Sequence, residues 1–199
     1  MDKLRGTAAV LFAALVMLSG CTSDPSTRSN TVSQTPSSTA SLGRHPLPQE
    51  LEAIPQGYSS PAEQQGTLAE LTYDTYESMS YEQKTQKLTK RAIIYLPSGY
   101  DADTQYNVFY LMHGGWGNET TTLGTPGNPS ALKNVLDHAI AAGEIKPLII
   151  VAPTYNNTSP DDSANFSLAL TLNQNFHREL LNDLLPAVES KYSTHAEDV

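Results

Sequence analysis

The residues of this chain that could do chemistry lie in one short segment, His113-Gly114-Gly115-Trp116. Two adjacent glycines leave the backbone N–H groups of a loop unobstructed, because neither residue has a Cβ. A backbone N–H placed in this way can stabilise the negative charge that develops on a carbonyl oxygen during nucleophilic attack, by about 3 kcal/mol per donor. The segment is therefore a candidate oxyanion-binding loop, with catalytic residues Gly115, Gly114 and Trp116.

The element that must position this loop is the apolar run 107–112, which directly precedes His113. A continuous apolar run is typical of a strand that is buried on both faces of a parallel sheet. The other elements predicted from periodicity and turn residues are a strand from about Thr67 to Tyr76, a hairpin connection at 78–83, a strand at 84–96, a helix from Asn128-Pro129 to Gly143, a strand at 148–151 and a helix from Phe176 to about Tyr192.

An antiparallel pair of strands followed by alternating strands and helices indicates the α/β class, with an open and mostly parallel sheet. In such sheets, ligands bind at the crevice beyond the carboxyl ends of the strands. The loop at His113 would lie at that crevice. The polar segment 155–165 follows the strand that ends at Val151, so we expect it at the same edge.

Three residues at this edge are candidates for substrate binding, namely Trp116, Tyr155 and Asn156. For Trp116 the alternatives of lining an acyl pocket and of covering the loop are left open, and a solvated loop is the alternative for 155–165. We interpret His113 as a structural histidine that bonds loop backbone, with a catalytic base as the alternative. The other histidines lack the short paired spacing of metal ligands, so no metal and no cofactor is expected.

The amino terminus carries a targeting signal. Lys3 and Arg5 precede an apolar run at 7–18, which is too short for a transmembrane helix of about twenty residues. The run ends in Leu18-Ser19-Gly20-Cys21, which resembles the bacterial lipobox and predicts lipidation of Cys21. We therefore expect an extracellular protein that is lipid-anchored to the bacterial membrane. An ordinary signal peptide with a chance cysteine is the alternative.

Composition divides the chain into three parts: a signal peptide at 1–20, the lipidated cysteine with a disordered Ser/Thr/Pro-rich linker at 21–66, and a folded unit at 67–199. Within the linker, a strap could pack through Leu47, Leu51 and Ile54. The formal net charge is −9 and no Lys/Arg run occurs, which excludes nucleic acid as an expected partner.

Several blocks in the folded unit are similar to those of the esterase D-like group, which includes the feruloyl esterase modules of bacterial xylanases. They are 95–101, 108–115, 132–137, 146–151 and 176–180, and the resemblance covers 67–199. It implies an α/β-hydrolase fold and a Ser-His-Asp hydrolase that acts on feruloyl or acetyl esters of xylan in the plant cell wall. By its place in the motif, Gly115 is the implied oxyanion donor.

The sequence departs from that family in one respect, because none of its serines lies in a Gly-x-Ser-x-Gly motif. In the family this motif follows the segment that reads 189–196 here. We therefore expect the amino-terminal portion of an esterase domain, incomplete at its carboxyl-terminal side and inactive alone. One alternative is a non-catalytic surface lipoprotein with a carbohydrate-binding or structural role, which would leave the edge of the 107–112 strand open. Another is an oligomer that supplies the missing strands in trans.

Overall fold

The computed structural model describes residues 50–195, and its centre is a four-stranded sheet. The strands, in chain order, are β1 (Thr67–Tyr76), β2 (Lys87–Leu96), β3 (Asn107–Tyr110), β4 (Gly124–Thr125), β5 (Asn128–Pro129) and β6 (Leu148–Ala152). The sheet order is β1-β2-β6-β3, while β4 and β5 form a separate two-stranded ribbon. β2 is antiparallel to β1 and to β6, and β3 is parallel to β6.

Helices cover both faces of the sheet. They are α1 (Ala131–Ala141), α2 (Phe166–Glu179) and α3 (Leu185–Lys191), with a π-helical segment, Leu180–Leu184, between α2 and α3. Neighbouring residues of β2 point to opposite faces: Ile94 packs in the cluster with α2 and α3, and Ile93 packs in the cluster with α1. This alternation produces a three-layer α/β/α arrangement, which confirms the predicted fold class.

The predicted strands in 67–76, 84–96 and 148–151 are confirmed, with β2 beginning three residues later than expected. The prediction for α1 was wrong at its start. Asn128 and Pro129 do not cap the helix but pair with Gly124 and Thr125, and Ser130 is the N-cap residue instead. The ribbon turn has a glycine at Gly124, whose φ is 80°. A Cβ at this position would collide with the Asn128 carbonyl oxygen, so the local capping signal is overridden by the turn.

The last predicted helix begins ten residues earlier than expected, at Phe166. Its N-cap is Asn165, whose side chain accepts a hydrogen bond from the Leu168 N–H at 3.1 Å. The first turn was missed because Phe166 lies on its exposed side, so the apolar periodicity is weak there.

The prediction that 107–112 is buried on both faces was wrong for the described residues. β3 ends at Tyr110 and is the edge strand of the described sheet. The side chain of Phe109 is 53% exposed. On the open side, Tyr106 makes a parallel bridge with Thr194, where the Tyr106 N–H donates to the Ser193 carbonyl.

The prediction that a strap packs through Leu47, Leu51 and Ile54 was also wrong for the two residues that the structure describes. Leu51 and Ile54 are exposed, and Leu47 lies outside the described residues. The segment instead attaches to α1 through Tyr58, whose ring stacks on His138 with 4.8 Å between centroids. The lipobox and Cys21 also lie outside the described residues. Within 50–195, no helix has the length and apolar character needed to cross a bilayer.

Candidate active site

Two loops meet at the edge of the sheet where β3 and β6 end. Because these strands are parallel, their carboxyl ends lie at the same edge. One further hydrogen bond, from the Leu111 N–H to the Val151 carbonyl at 2.8 Å, joins the two chains just beyond β3. The loop that begins at His113 follows β3, and the loop that begins at Thr154 follows β6. The structure thus brings together the glycine loop and the polar loop, as the sequence predicted.

His113 is buried between these loops and both of its ring nitrogens are bonded. Nδ1 lies 2.7 Å from the Gly114 carbonyl oxygen, and Nε2 lies 2.8 Å from the Thr154 hydroxyl. A carbonyl only accepts, so Nδ1 carries the proton. Burial lowers the pKa of His113, which favours the neutral ring. These contacts agree with the interpretation of His113 as a structural histidine.

The carbonyl of Gly114 accepts two hydrogen bonds, one from His113 Nδ1 and one from the Tyr155 hydroxyl at 3.1 Å. The Tyr155 ring also stacks on the His113 ring, with 4.4 Å between centroids. In a planar trans peptide the C=O and the following N–H point in opposite directions. Anchoring the Gly114 carbonyl therefore directs the Gly115 N–H away from His113 and Tyr155. Within residues 50–195 this N–H has no hydrogen-bond acceptor.

Trp116 is held in a conformation that is rare for residues other than glycine, with φ at 59°. Its N–H donates to the Ser163 carbonyl at 3.0 Å, so it is not an unoccupied oxyanion donor, in contrast to the expectation from the sequence. Its indole is 78% exposed and lines the cleft beside Gly115. Of the roles predicted for Trp116, only that of its side chain, as a wall of the cleft, remains a candidate.

Asn156 differs from its predicted role. It is buried, and its amide nitrogen donates to the carbonyls of Gly117 at 3.0 Å and Pro160 at 2.6 Å. Its amide oxygen accepts from the Ser163 N–H. Because these contacts use the whole amide, Asn156 is a link between the two loops and not a substrate contact. Ser163, which the sequence did not single out, reinforces the link by donating from its hydroxyl to Gly117.

A cleft of about 330 Å³ opens beside Gly114 and Gly115. This volume is within the range of small-ligand sites. Its apolar walls are Met112, Trp116, Tyr155, Phe166, Ala169 and Leu170. The first helical turn of α2 supplies Phe166, which is 74% exposed, and Leu170 lies one turn later. Both were missed from the sequence because the start of α2 was missed.

The described residues include no nucleophile paired with a base in this cleft. Among residues 50–195, the one hydroxyl bonded to an imidazole is that of Thr154, which is buried and does not line the cleft. The hydroxyl of Ser163 donates to the Gly117 carbonyl instead. Nor do residues 50–195 contain three His, Cys, Asp or Glu side chains grouped as metal ligands.

A buried ion pair lies below the loop that follows β6. Lys90 Nζ is 2.7 Å from a Glu179 oxygen, and both side chains are 7% exposed. Lys90 also donates to the Thr154 carbonyl at 2.7 Å, and the Tyr73 hydroxyl donates to Glu179 at 2.6 Å. Burial raises the pKa of Glu179 and lowers that of Lys90, while their mutual attraction opposes both shifts. The pair connects α2 to the backbone of Thr154.

Residues 85–199 match the family described as putative esterase. The chain is 41% identical over 143 residues to the endo-1,4-beta-xylanase Y of Acetivibrio thermocellus, a match that covers 72% of this chain and 11% of that protein. It is 27% identical over 149 residues to an endo-1,4-beta-xylanase/feruloyl esterase of Xylanibacter ruminicola, covering 71% of this chain and 20% of the relative. The chain thus spans a fifth or less of these relatives.

Solved structures agree with this fold. The feruloyl esterase module from Clostridium thermocellum, as a mutant complexed with sinapinate, matches with 41% identity and a TM-score of 0.53, covering 72% of this chain and 42% of that one. A ferulic acid esterase from Anaeromyces mucronatus, in complex with ferulic acid, matches in fold with 23% identity and a TM-score of 0.54, covering 70% of this chain and 49% of the other. In both cases the chain spans less than half of the matched structure.

Proposed function

The chain belongs to the putative esterase family, and we propose that it forms the oxyanion-stabilising part of a serine carboxylesterase. The proposed substrates are feruloyl or acetyl esters of plant cell-wall polysaccharide. Since no Gly-x-Ser-x-Gly motif occurs in the 199 residues, the proposed nucleophile comes from sequence beyond those residues. The feruloyl esterase module and the xylanases that this chain resembles support the proposed substrate class.

The observation that carries this proposal is the Gly115 N–H beside the cleft. It has no acceptor among residues 50–195, while the carbonyl of its own peptide group is anchored by His113 and Tyr155. A fixed donor without a partner is suited to a charge that develops only in the transition state, because no reorganisation is needed when that charge appears. The same two hydrogen bonds polarise the peptide group and strengthen its N–H as a donor.

The cleft favours an aromatic acyl group over acetyl. Trp116 and Phe166 present exposed rings at its walls, and Met112 and Leu170 add flexible apolar surface. An acetyl group would leave most of this surface in contact with water, whereas a phenylpropenoyl group could stack on it and remove apolar area from solvent. We therefore propose feruloyl esters as the preferred substrates and acetyl esters as the poorer ones.

The proposal is tested by supplying the remainder of the domain. In the fused enzyme, this chain is joined at its carboxyl end to the corresponding downstream sequence of the 41% identical xylanase Y module. We expect the fused enzyme to hydrolyse methyl ferulate with saturation kinetics, and the 199-residue chain alone to show no saturable hydrolysis, since catalysis without a nucleophile is small.

Substrate turnover by the chain alone, blocked by a serine-directed phosphonate, would show that a nucleophile lies within it. A fused enzyme that folds, reacts with the phosphonate and still does not hydrolyse methyl ferulate or acetylated xylan would contradict the proposed function.

We further propose that Cys21 anchors the protein to the outer face of the bacterial membrane. Lys3, Arg5 and the apolar run that ends before Ser19 support this proposal, together with the absence of any other cysteine in the sequence. A lipid chain on Cys21 would hold the esterase at the cell surface.

Replacement of Cys21 by serine removes the thiol that is alkylated. We expect the Cys21→Ser variant to be lost from the detergent phase on phase partitioning, or to keep its full precursor mass, as measured by mass spectrometry. Ser19→Thr, which keeps Cys21, serves as the control. Unchanged partitioning together with an unchanged mature mass would contradict the lipid anchor.

A further inference from the structure

The proposed reaction described above gives no role to the hydroxyl of Thr154. Thr154 is the second residue after β6, is buried, and lies between the glycine loop and the ion pair of Lys90 with Glu179. Its hydroxyl oxygen lies 2.8 Å from His113 Nε2 and 3.0 Å from the Asn156 backbone nitrogen.

The directions of these hydrogen bonds follow from which groups can donate. The Asn156 N–H must donate, so the Thr154 oxygen accepts from it and retains its own proton for another partner. His113 Nδ1 must donate to the Gly114 carbonyl, so in the neutral ring Nε2 has no proton and accepts. The Thr154 hydroxyl therefore donates to Nε2, and this bond can form only with the Nδ1–H tautomer of His113.

We propose that Thr154 is a positioning residue for the esterase reaction: its hydroxyl holds the His113 ring in the orientation in which Nδ1 anchors the Gly114 carbonyl, and thereby aims the Gly115 N–H. This inference rests on the proposed function for its catalytic consequence. The orientation of the His113 ring does not depend on it.

The buried ion pair holds the backbone of Thr154 in place. Lys90 donates to the Thr154 carbonyl, and Glu179 holds Lys90 in place while accepting from the Tyr73 hydroxyl. The ion pair therefore fixes the backbone from which the Thr154 side chain projects, and the β-branched side chain itself has few χ1 rotamers. A series of contacts of 2.6 to 2.8 Å therefore connects the ion pair to Thr154, Thr154 to His113, and His113 to the Gly114 carbonyl. The Gly114 carbonyl and the Gly115 N–H belong to the same peptide group.

The Gly114 carbonyl fixes the tautomer of His113, and the Thr154 hydroxyl fixes the position of the ring. If Nε2 carried the proton, Nδ1 would face the Gly114 carbonyl oxygen with a lone pair, and two acceptors would repel one another at 2.7 Å. Only the Tyr155 hydroxyl would then hold that carbonyl. The Gly114-Gly115 peptide could rotate, and its N–H would no longer be fixed for an oxyanion.

The test replaces Thr154 by valine, which keeps the volume and branching but removes the hydroxyl. The readout is the long-range ¹H–¹⁵N spectrum of the imidazole rings in the full chain, with the His113 signals identified by their loss in a His113→Gln variant. We expect the parent chain to hold His113 as the Nδ1–H tautomer. In Thr154→Val the Gly114 carbonyl should keep the proton on Nδ1, while the His113 Nε2 signal, which loses its hydrogen-bond donor, and the Gly115 amide resonance should both shift.

Thr154→Ser keeps the hydroxyl and should restore both signals, which a purely structural role for the threonine methyl group would not do. If the valine variant does not fold, the same signals are measured in Thr154→Ala. A Gly115 amide resonance that stays unmoved in the valine or alanine variant, with the fold intact, would overturn the proposal.

In the fused enzyme, Thr154→Val should lower kcat for methyl ferulate about tenfold while KM changes by less than about twofold, because a transition-state donor is misaligned. Thr154→Ser should recover most of kcat. Loss of kcat without a shift of the Gly115 amide resonance would overturn this role of Thr154. A fused enzyme that is inactive with Thr154 present would contradict the proposed function, while the shift of the Gly115 amide resonance in the chain alone would still decide the role of Thr154.

Discussion

The Gly115→Pro variant of the fused enzyme is expected to lose about two to three orders of magnitude in kcat for methyl ferulate, because proline has no N–H to donate. KM should change much less, since the interaction strengthens only as negative charge develops on the substrate oxygen. Gly115→Ala retains the N–H. It should stay within a few-fold of the parent, because a Cβ at this position meets only the Ser163 carbonyl oxygen, at 3.7 Å.

Two controls separate a lost donor from a disturbed loop. Gly114→Ala adds a Cβ that has no group within 4 Å apart from its two chain neighbours, and it keeps the carbonyl that His113 and Tyr155 anchor, so it should leave kcat close to that of the parent. Thermal unfolding of Gly115→Pro shows whether the domain still folds. A proline variant that melts normally and keeps its kcat would show that Gly115 is not the donor.

The second large effect concerns stability. Glu179→Leu leaves the ammonium of Lys90 buried without its partner, and we expect a loss of about 3 to 5 kcal/mol in the free energy of unfolding. At about 2 to 4 °C per kcal/mol for a domain of 150 to 250 residues, the midpoint of thermal unfolding of the fused enzyme should fall by roughly 6 to 20 °C. The Tyr73 hydroxyl loses its acceptor at the same time, which adds to the loss.

The Lys90→Met/Glu179→Leu double variant removes both charges and should recover part of the lost stability, but not all, because the Thr154 carbonyl loses its donor. Lys87→Met is the matched control. It breaks the pair with Asp74, whose side chains are 62% and 56% exposed, and should leave the midpoint close to that of the parent. A Glu179→Leu midpoint as high as that of Lys87→Met would show that the buried pair does not stabilise the fold.

The sequence predicted those elements whose signal is local. β1, β2 and β6 are composed of β-forming residues bounded by turns, and each was located to within a few residues. The start of α1 was wrong because the capping signal at Asn128-Pro129 is also compatible with a ribbon, and contacts with Gly124 decide between them. The sequence indicated that the edge of β3 would stand open without the part that carries the Gly-x-Ser-x-Gly motif. It did not indicate that Phe109 would be exposed, since an apolar run looks the same whether or not its faces are covered.

In the candidate site, too, the features with a local sequence signal could be predicted and those that depend on distant residues could not. The motif at Gly114 and Gly115 is contiguous, so its place at the end of β3 could be predicted. The direction of the Gly115 N–H could not, because it depends on Tyr155 and Thr154, some forty residues away. Asn156 was assigned to substrate because a polar side chain in a loop was assumed to be exposed. It is buried, and buried amides are bonded to backbone groups.

Binding of the oxyanion by the Gly115 N–H is tested most directly with the ¹⁵N-labelled fused enzyme, before and after reaction with a serine-directed phosphonate. The phosphonate adduct carries a negatively charged oxygen in the position of the oxyanion. A hydrogen bond to a charged acceptor is short and strong, so the Gly115 amide proton should move downfield and exchange more slowly with water. An adduct that leaves the Gly115 amide resonance in place while other backbone amides respond would contradict the account.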